Sequence, residues 1–162
     1  MHPSLLTTDQ IALKDAARKL ALGEFRDRAA RWDREGIYPD ENHHRLGELG
    51  YLGMTIPEEF GGGGVSLVDC YLVIEELAKV DFNTALIVHD QNVSPRIIAT
   101  CGSDALKRAF LPRFAAGEIV GTLTLHRDTI GLVPCAASVG GGDFGLAATF
   151  GGLLRGLLRR AW

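Results

Sequence analysis

Residues 46 to 78 read LGELGYLGMTIPEEFGGGGVSLVDCYLVIEELA, and this stretch decides the fold. Asp40 is expected to cap a short helix through Leu46 and Leu49, which Gly50 stops. Pro57 and the run Gly61 to Gly64 cannot sit inside a regular element, so 51–65 is expected as a loop with a flexible glycine turn. Ser66 with Asp69 caps the next helix. Leu67, Tyr71, Ile74 and Ala78 recur at helical spacing, and Leu72 and Leu77 widen the stripe. This is the most apolar helix of the chain, which makes it the expected centre of a bundle.

Reading outward toward the N-terminus, Thr7 and Gln10 have the spacing of a capping box. Leu13, Ala16, Ala17, Leu20 and Ala21 follow with helical period, predicting a long helix over 8–34 that weakens at Gly23. Trp32 is expected to pack inward. Ile37-Tyr38-Pro39 breaks the run. Toward the C-terminus, Asp81 or Asn83 restarts a helix through Ala85, Leu86 and Val88. Pro95 opens another over Ile97 and Ile98. Ser103 caps a last one over Leu106, Phe110 and Leu111, ended by Pro112. Residues 119–126, IVGTLTLH, are β-branched enough to read as a strand. The fold class is mainly α: an orthogonal bundle of about six helices over 6–118, a β-prone segment over 119–128, and an irregular tail over 129–162.

The chain has 162 residues, 46% hydrophobic and 23% charged, with a formal net charge of -3. That profile fits one globular domain and argues against a nucleic-acid partner. No apolar run reaches the ~18 residues of a membrane span, and the N-terminus has no secretory or transit pattern, so a cytoplasmic protein is expected. Cys70, Cys101 and Cys135 fit neither a disulfide framework nor a zinc knuckle and are expected as free thiols. Composition changes near residue 128: the last 34 residues hold eight of the 20 glycines and four of the 37 charged residues. Gly, Ala, Leu and Arg dominate there, as in a GC-rich strand read out of frame. This favours an out-of-frame ending over a divergent one. Residues 153–162 suit a turn or two of basic helix.

Candidate chemistry is sparse. The glycine run lacks the Lys that a phosphate loop needs. Glu41 and His44 form E-x-x-H, but a di-iron bundle needs two such motifs, so His43 and His44 are expected to be solvated and no metal site is predicted. Glu58-Glu59 and Glu75-Glu76 cannot flank a sugar, because helix neighbours point about 100° apart. They read as surface charge, with Glu75 or Glu76 available to a neighbouring Arg. None of the cysteines looks activated. The His89-Asp90 pair, near HDQNVSP, marks the best pocket candidate from chemistry alone.

Taken together, L-G-E-L-G-x-L-G, P-E-E-x-G-G and I-E-E-L-A over Leu46 to Ala78, with G-x-x-x-x-K-x-x-F-L-P-x-x-A-x-G-E over Gly102 to Glu118, resemble the N-terminal helical domain of the acyl-CoA dehydrogenases. The resemblance spans about 6–125. It implies a flavoenzyme of three domains that binds FAD and oxidises an acyl-CoA thioester to the enoyl form, with a base from a C-terminal bundle and a homo-oligomeric assembly. It also implies that a loop matching Gln91, Val93 and Pro95 walls the acyl pocket. The family continues its strand as L-T-E-P-x-x-G-S-D. Here only Leu123-Thr124 match, so Thr124 is the single flavin-binding position carried over, and no catalytic base carries over. The expectation is a fragment inactive on its own. The alternatives are a non-catalytic interaction module, joining itself or a full-length relative, and one piece of a split flavoenzyme.

Overall fold

A computed structural model of the protein describes residues 5–126 and 129–135. Of the irregular tail expected over 129–162, residues 129–135 instead form a strand, and 136–162, including the basic end, lie outside the described residues. Six α-helices and a hairpin make up the rest: α1 (Thr8–Leu20), α2 (Arg26–Glu35), α3 (Asp40–Glu48), α4 (Leu67–Ala78), α5 (Phe82–Cys101), α6 (Asp104–Ala115), β1 (Val120–His126) and β2 (Thr129–Cys135). The molecule is mainly α, as the residue pattern predicts.

The capping box is present: the Thr7 hydroxyl accepts from the Gln10 amide, and the Gln10 side chain accepts from the Thr7 amide. α1 and α2 run on as one rod, and the weakness expected at Gly23 takes the form of a single π-helical turn, Ala21–Phe25. A π-turn inserts one residue and rotates the helix beyond it. It leaves both Phe25 and Trp32 buried. Gly36, in the left-handed region at φ 62°, ends the rod just before the Ile37-Tyr38-Pro39 segment. α3 begins at Asp40 itself, with Pro39 in the cap position.

Three expectations are corrected. Pro95 does not open a new helix: it lies inside the 20-residue α5 and is buried there. Pro112 likewise lies within α6, which continues to Ala115. Proline costs a helix one amide and one hydrogen bond, and here the packing around α5 and α6 outweighs that loss. The third correction concerns α4. Its buried side is Cys70, Leu72, Val73, Glu76 and Leu77, while Tyr71 is exposed. The helix is apolar nearly all round, so the stripe was ambiguous, and a buried ion pair at Glu76 fixes its rotation.

The central element is α5 rather than α4. Its N-terminal half, with Ala85, Ile87 and Val88, packs into one cluster with Ala17, Phe25, Leu46, Leu52, Val73 and Leu77. Its C-terminal half brings Ile98 to a second cluster with Ile56, Leu111, Phe114 and Ile119. Asp81 caps α5 by accepting the Asn83 and Thr84 amides. Asn42 on α3 donates to the Thr84 hydroxyl at 2.7 Å, and that hydroxyl donates to Asp81 at 2.6 Å. This buried chain fixes α3 against the start of α5.

The tetraglycine segment is not a free turn. Gly63, Gly64 and Val65 donate their amides to the carbonyls of Gly53, Ile56 and Met54. A Cβ on Gly62 would lie 2.1 Å from the Ile56 carbonyl oxygen, and one on Gly53 would lie 2.9 Å from the Ala115 Cα. β1 and β2 pair antiparallel with Val120 opposite Cys135 and His126 opposite Thr129. The hairpin therefore crosses residue 128, where the composition changes.

Gly62→Ala is expected to destabilise the protein by about 2–4 kcal/mol, since backbone must move to admit the methyl. Gly23→Ala meets nothing within 4 Å and should instead stabilise it by about 0.5–1 kcal/mol. Urea denaturation of the two variants checks both signs.

Candidate functional site

A cleft of about 360 Å³ opens between the end of α2, the segment leading into α3, and α5. Trp32, Ile37, Tyr38, Leu86, Ile87 and Val120 give it an apolar lining, with Asp33, Asn83, Asp90 and Gln91 as polar members. Leu86 stays 44% exposed and Ile37 43%, so the apolar rim is open to solvent. Trp32 presents a buried indole N–H with no hydrogen-bond partner.

The residues expected to wall a pocket, Gln91, Val93 and Pro95, are not on a loop. All three lie inside α5, with Gln91 and Pro95 buried and Val93 partly so. Of the three, Gln91 lines the cleft. Its Nε2 donates to the Ile119 carbonyl at 2.8 Å, and its Oε1 accepts from the Gly121 amide at 3.0 Å. Its neighbour Asn92 accepts the Thr55 amide through Oδ1 and donates through Nδ2 to the carbonyls of Tyr51 and Val88. The Thr55 hydroxyl in turn donates to the Asn92 carbonyl. Thr124 lies in β1 opposite Gly131.

His43 corrects the expectation of two solvated histidines: it is buried, whereas His44 is exposed. Its Nε2 sits 3.1 Å from the Gly117 carbonyl and its Nδ1 2.8 Å from the Tyr38 hydroxyl. A carbonyl only accepts, so Nε2 carries the proton, and the neutral ring accepts from Tyr38 at Nδ1. Burial lowers the pKa of His43 below its ordinary 6.5, against a smaller opposing pull from the Gly117 carbonyl. Burial also raises the Tyr38 phenol, with Asp40 and Asp90 adding to it. The imidazole thus ties the cleft wall to the turn that feeds β1. Sequence reasoning missed this pair because its third member is 74 residues away.

Glu76 is not a surface charge, and the alternative reading, a glutamate that holds a neighbouring Arg, is the one its partners bear out. It is buried, and it accepts from Arg18 at 2.9 Å, Lys79 at 2.7 Å and Lys14 at 2.9 Å. Burial alone would raise its pKa, but these three cations hold it at about 2. Glu75 also pairs with Lys14 and Lys79. Glu41 bonds Arg28, so E-x-x-H brings no second ligand toward His44. His89 Nδ1 lies 2.9 Å from Asp90 Oδ1, as the pairing predicted, and the imidazole meets Tyr71 edge-on at 5.9 Å. Cys70 is buried, which pushes its thiol up to about 12, while Cys101 is exposed. Among the described residues, no three His, Cys, Asp or Glu side chains are placed to hold a metal ion. None of the helices there is long and apolar enough to cross a membrane.

The profile of the acyl-CoA dehydrogenase N-terminal domain matches residues 7–118. The chain belongs to the acyl-CoA dehydrogenase family. It is 32% identical over 126 residues to the acryloyl-CoA reductase (NADH) of Anaerotignum propionicum, covering 78% of this chain and 32% of that protein. It is 40% identical over 114 residues to the 3-sulfinopropanoyl-CoA desulfinase of Paraburkholderia xenovorans, covering 70% and 29%. In structure it resembles the glutaryl-coenzyme A dehydrogenase glutaryl-CoA complex, with a TM-score of 0.66 and 25% identity, covering 79% of this chain and 38% of that one. The chain thus spans about a third of the length of these relatives, and the match is to their N-terminal helical domain.

Members of the family use FAD. Of the positions that the resemblance assigns to the flavin, the described residues include Thr124. Where the family's strand continues into E-P-x-x-G-S-D, this chain turns back at once, pairing His126 with Thr129. Leu123 and Thr124 alone match that pattern.

Because the folded protein favours neutral His43, its contribution to stability is complete above pH 6.5. It should be lost as pH falls below that value toward the lowered folded-state pKa. Thermal melts from about pH 8 to about pH 5 should show this slope, and His43→Gln, which keeps one donor and one acceptor, should flatten it. Glu76→Gln removes the buried carboxylate that Arg18, Lys79 and Lys14 share, leaving Lys14 with Glu75, and should cost about 1.5–3 kcal/mol in chemical denaturation.

Proposed function

We propose that this chain is the acyl-thioester-facing scaffold of an acyl-CoA dehydrogenase-type flavoenzyme and that its 162 residues do not turn over substrate by themselves. The observation that carries this reading is the cleft's apolar wall, built on α5 and Val120, beside which Asp33 and the His89-paired Asp90 are the carboxylates among the described lining residues. Removing the α-proton of a thioester needs a carboxylate in reach and donors for the developing enolate. Among the described residues, the buried carboxylates are Glu76 and Asp81. The first is held by three cations and the second caps α5. Flavin, where bound in a whole enzyme, accepts the hydride; Thr124 is the one position of this chain that the resemblance offers to it.

An acyl chain is the occupant that suits this lining. Ile87, Leu86 and Ile37 offer it hydrocarbon, and of the three expected wall residues Gln91 is the one that lines the cleft from α5. The relatives' names cover a reductase, a desulfinase and several dehydrogenases, so the shared class is a CoA thioester rather than one reaction. The same reading makes the protein cytoplasmic.

The purified chain should be colourless, without flavin absorbance near about 450 nm, and inactive with acyl-CoA thioesters and an electron acceptor. A stoichiometric yellow chromophore with turnover would defeat the proposal. A second reading, an interaction module that joins a copy of itself or a longer relative, draws on Phe82, 67% exposed, beside Leu86 on the outer side of α5. Exposed apolar patches of this kind mark association sites. Light scattering should then give a mass above the monomer, and a clean monomer that ignores a longer relative would remove this second reading.

A further inference from the structure

We infer that Gln91 is a positioning residue that sets the register of β1, and with it the cleft wall at Val120. Its carboxamide takes the place of a neighbouring strand. In a β-ladder the residues that face one neighbour alternate, and each offers both its N–H and its C=O to that side. Ile119 and Gly121 are such an alternating pair: the carbonyl of one and the amide of the other point at Gln91, and the two bonds measure 2.8 and 3.0 Å. Val120, between them, turns its polar groups toward β2. Opposite Gly121 stands Pro134, which has no amide to give. At that register position the side toward β2 asks for none.

The approach is as tight as the chain permits. A Cβ on Gly121 would lie 2.8 Å from the Phe114 ring and 2.9 Å from the Ser94 Cβ. The strand therefore sits directly on α5 and α6, and only glycine lets it. A slip by one residue would place a side chain at this contact and move Val120 off the cleft. Gln91 opposes the slip, because a shift by one residue takes carbonyl 119 and amide 121 away from its donor and acceptor, while Gly121 is the residue that the close contact admits. The identity of the occupant rests on the acyl-thioester reading above; the pinning of the strand does not.

The test exploits the fact that a neutral glutamic acid also offers one donor and one acceptor. Titratable groups around this end of the cleft are Tyr38, Asp33 and Asp90, with His43 behind Tyr38, so every variant is compared with wild type at the same pH. Amide exchange is measured on the full chain and corrected for the intrinsic rate. Gln91→Met should speed exchange at Gly121 about tenfold, while α4 amides change less. Gln91→Glu should match Gln91→Met at about pH 8 and regain wild-type protection at about pH 5, when the buried carboxyl is neutral. The Val120 methyl resonances should follow the same pattern. Unchanged exchange at Gly121 in Gln91→Met overturns the inference. So does a Gln91→Glu protein that in acid recovers no further than Gln91→Met, since relief of a buried charge would then be the whole effect. If Gln91→Met does not fold, Gln91→Glu at the lower pH decides alone: wild-type protection at Gly121 supports the clamp and its absence ends it. Titration of the wild-type chain with an acyl-CoA thioester tests the occupant separately and moves neither arm.

Discussion

Two adjacent carboxamides on α5 hold the architecture together. Gln91 satisfies the outer edge of β1, and Asn92 satisfies the backbone of the segment between α3 and the glycine run. Both are buried, and each leaves a costly orphan if its partner moves. Non-directional apolar packing would let the strand and the 51–65 segment slide over the helix. The carboxamides remove that freedom. They also explain how α5 serves two hydrophobic clusters at once: apolar residues face each cluster, and polar residues between them meet backbone.

That arrangement is also why the central helix was hard to see in the residue pattern. α4 advertises itself with a nearly unbroken apolar run, and its existence and cap at Ser66 were legible. α5 buries Thr84, Gln91, Asn92 and Ser94 beside Val88 and Ile98, so its inward face has no hydrophobic period. Pro95 added a false boundary. Burial of Gln91 and Asn92 is invisible to periodicity, because the backbone partners outside α5 that make it tolerable are 28 to 41 residues away. The caps at Thr7, Ser66 and Ser103, and the first helix, depend on near neighbours, and there the residue pattern and the structure agree. The π-turn at Ala21–Phe25 was legible only as a weakness at Gly23.

The candidate site divides the same way. The motif runs over Leu46 to Ala78 and Gly102 to Glu118 identify the family's helical domain because they encode its turns and close contacts: Gly53 against Ala115, and Gly117 against Leu52 and His43. His43 and Glu76 looked like surface charge because a single position does not reveal what faces it. In the fold the first is a neutral connector and the second an anion surrounded by cations. The glutamates and histidines that chemistry would notice first are therefore committed to structure, and the apolar cleft between α2 and α5 is what remains open to a ligand.

The tetraglycine run has a practical consequence. By composition, Gly61 to Gly64 is where an engineer would splice in an epitope or where a protease would be expected to cut. Its amides are spoken for by the carbonyls of Glu58, Pro57, Gly53 and Ile56, and Gly62 abuts the chain beneath it. Glycine here supplies thinness rather than slack. The segment is a strap drawn flush against the body, so a loop grafted into it would lift the strap, and cleavage would have to wait for the molecule to open.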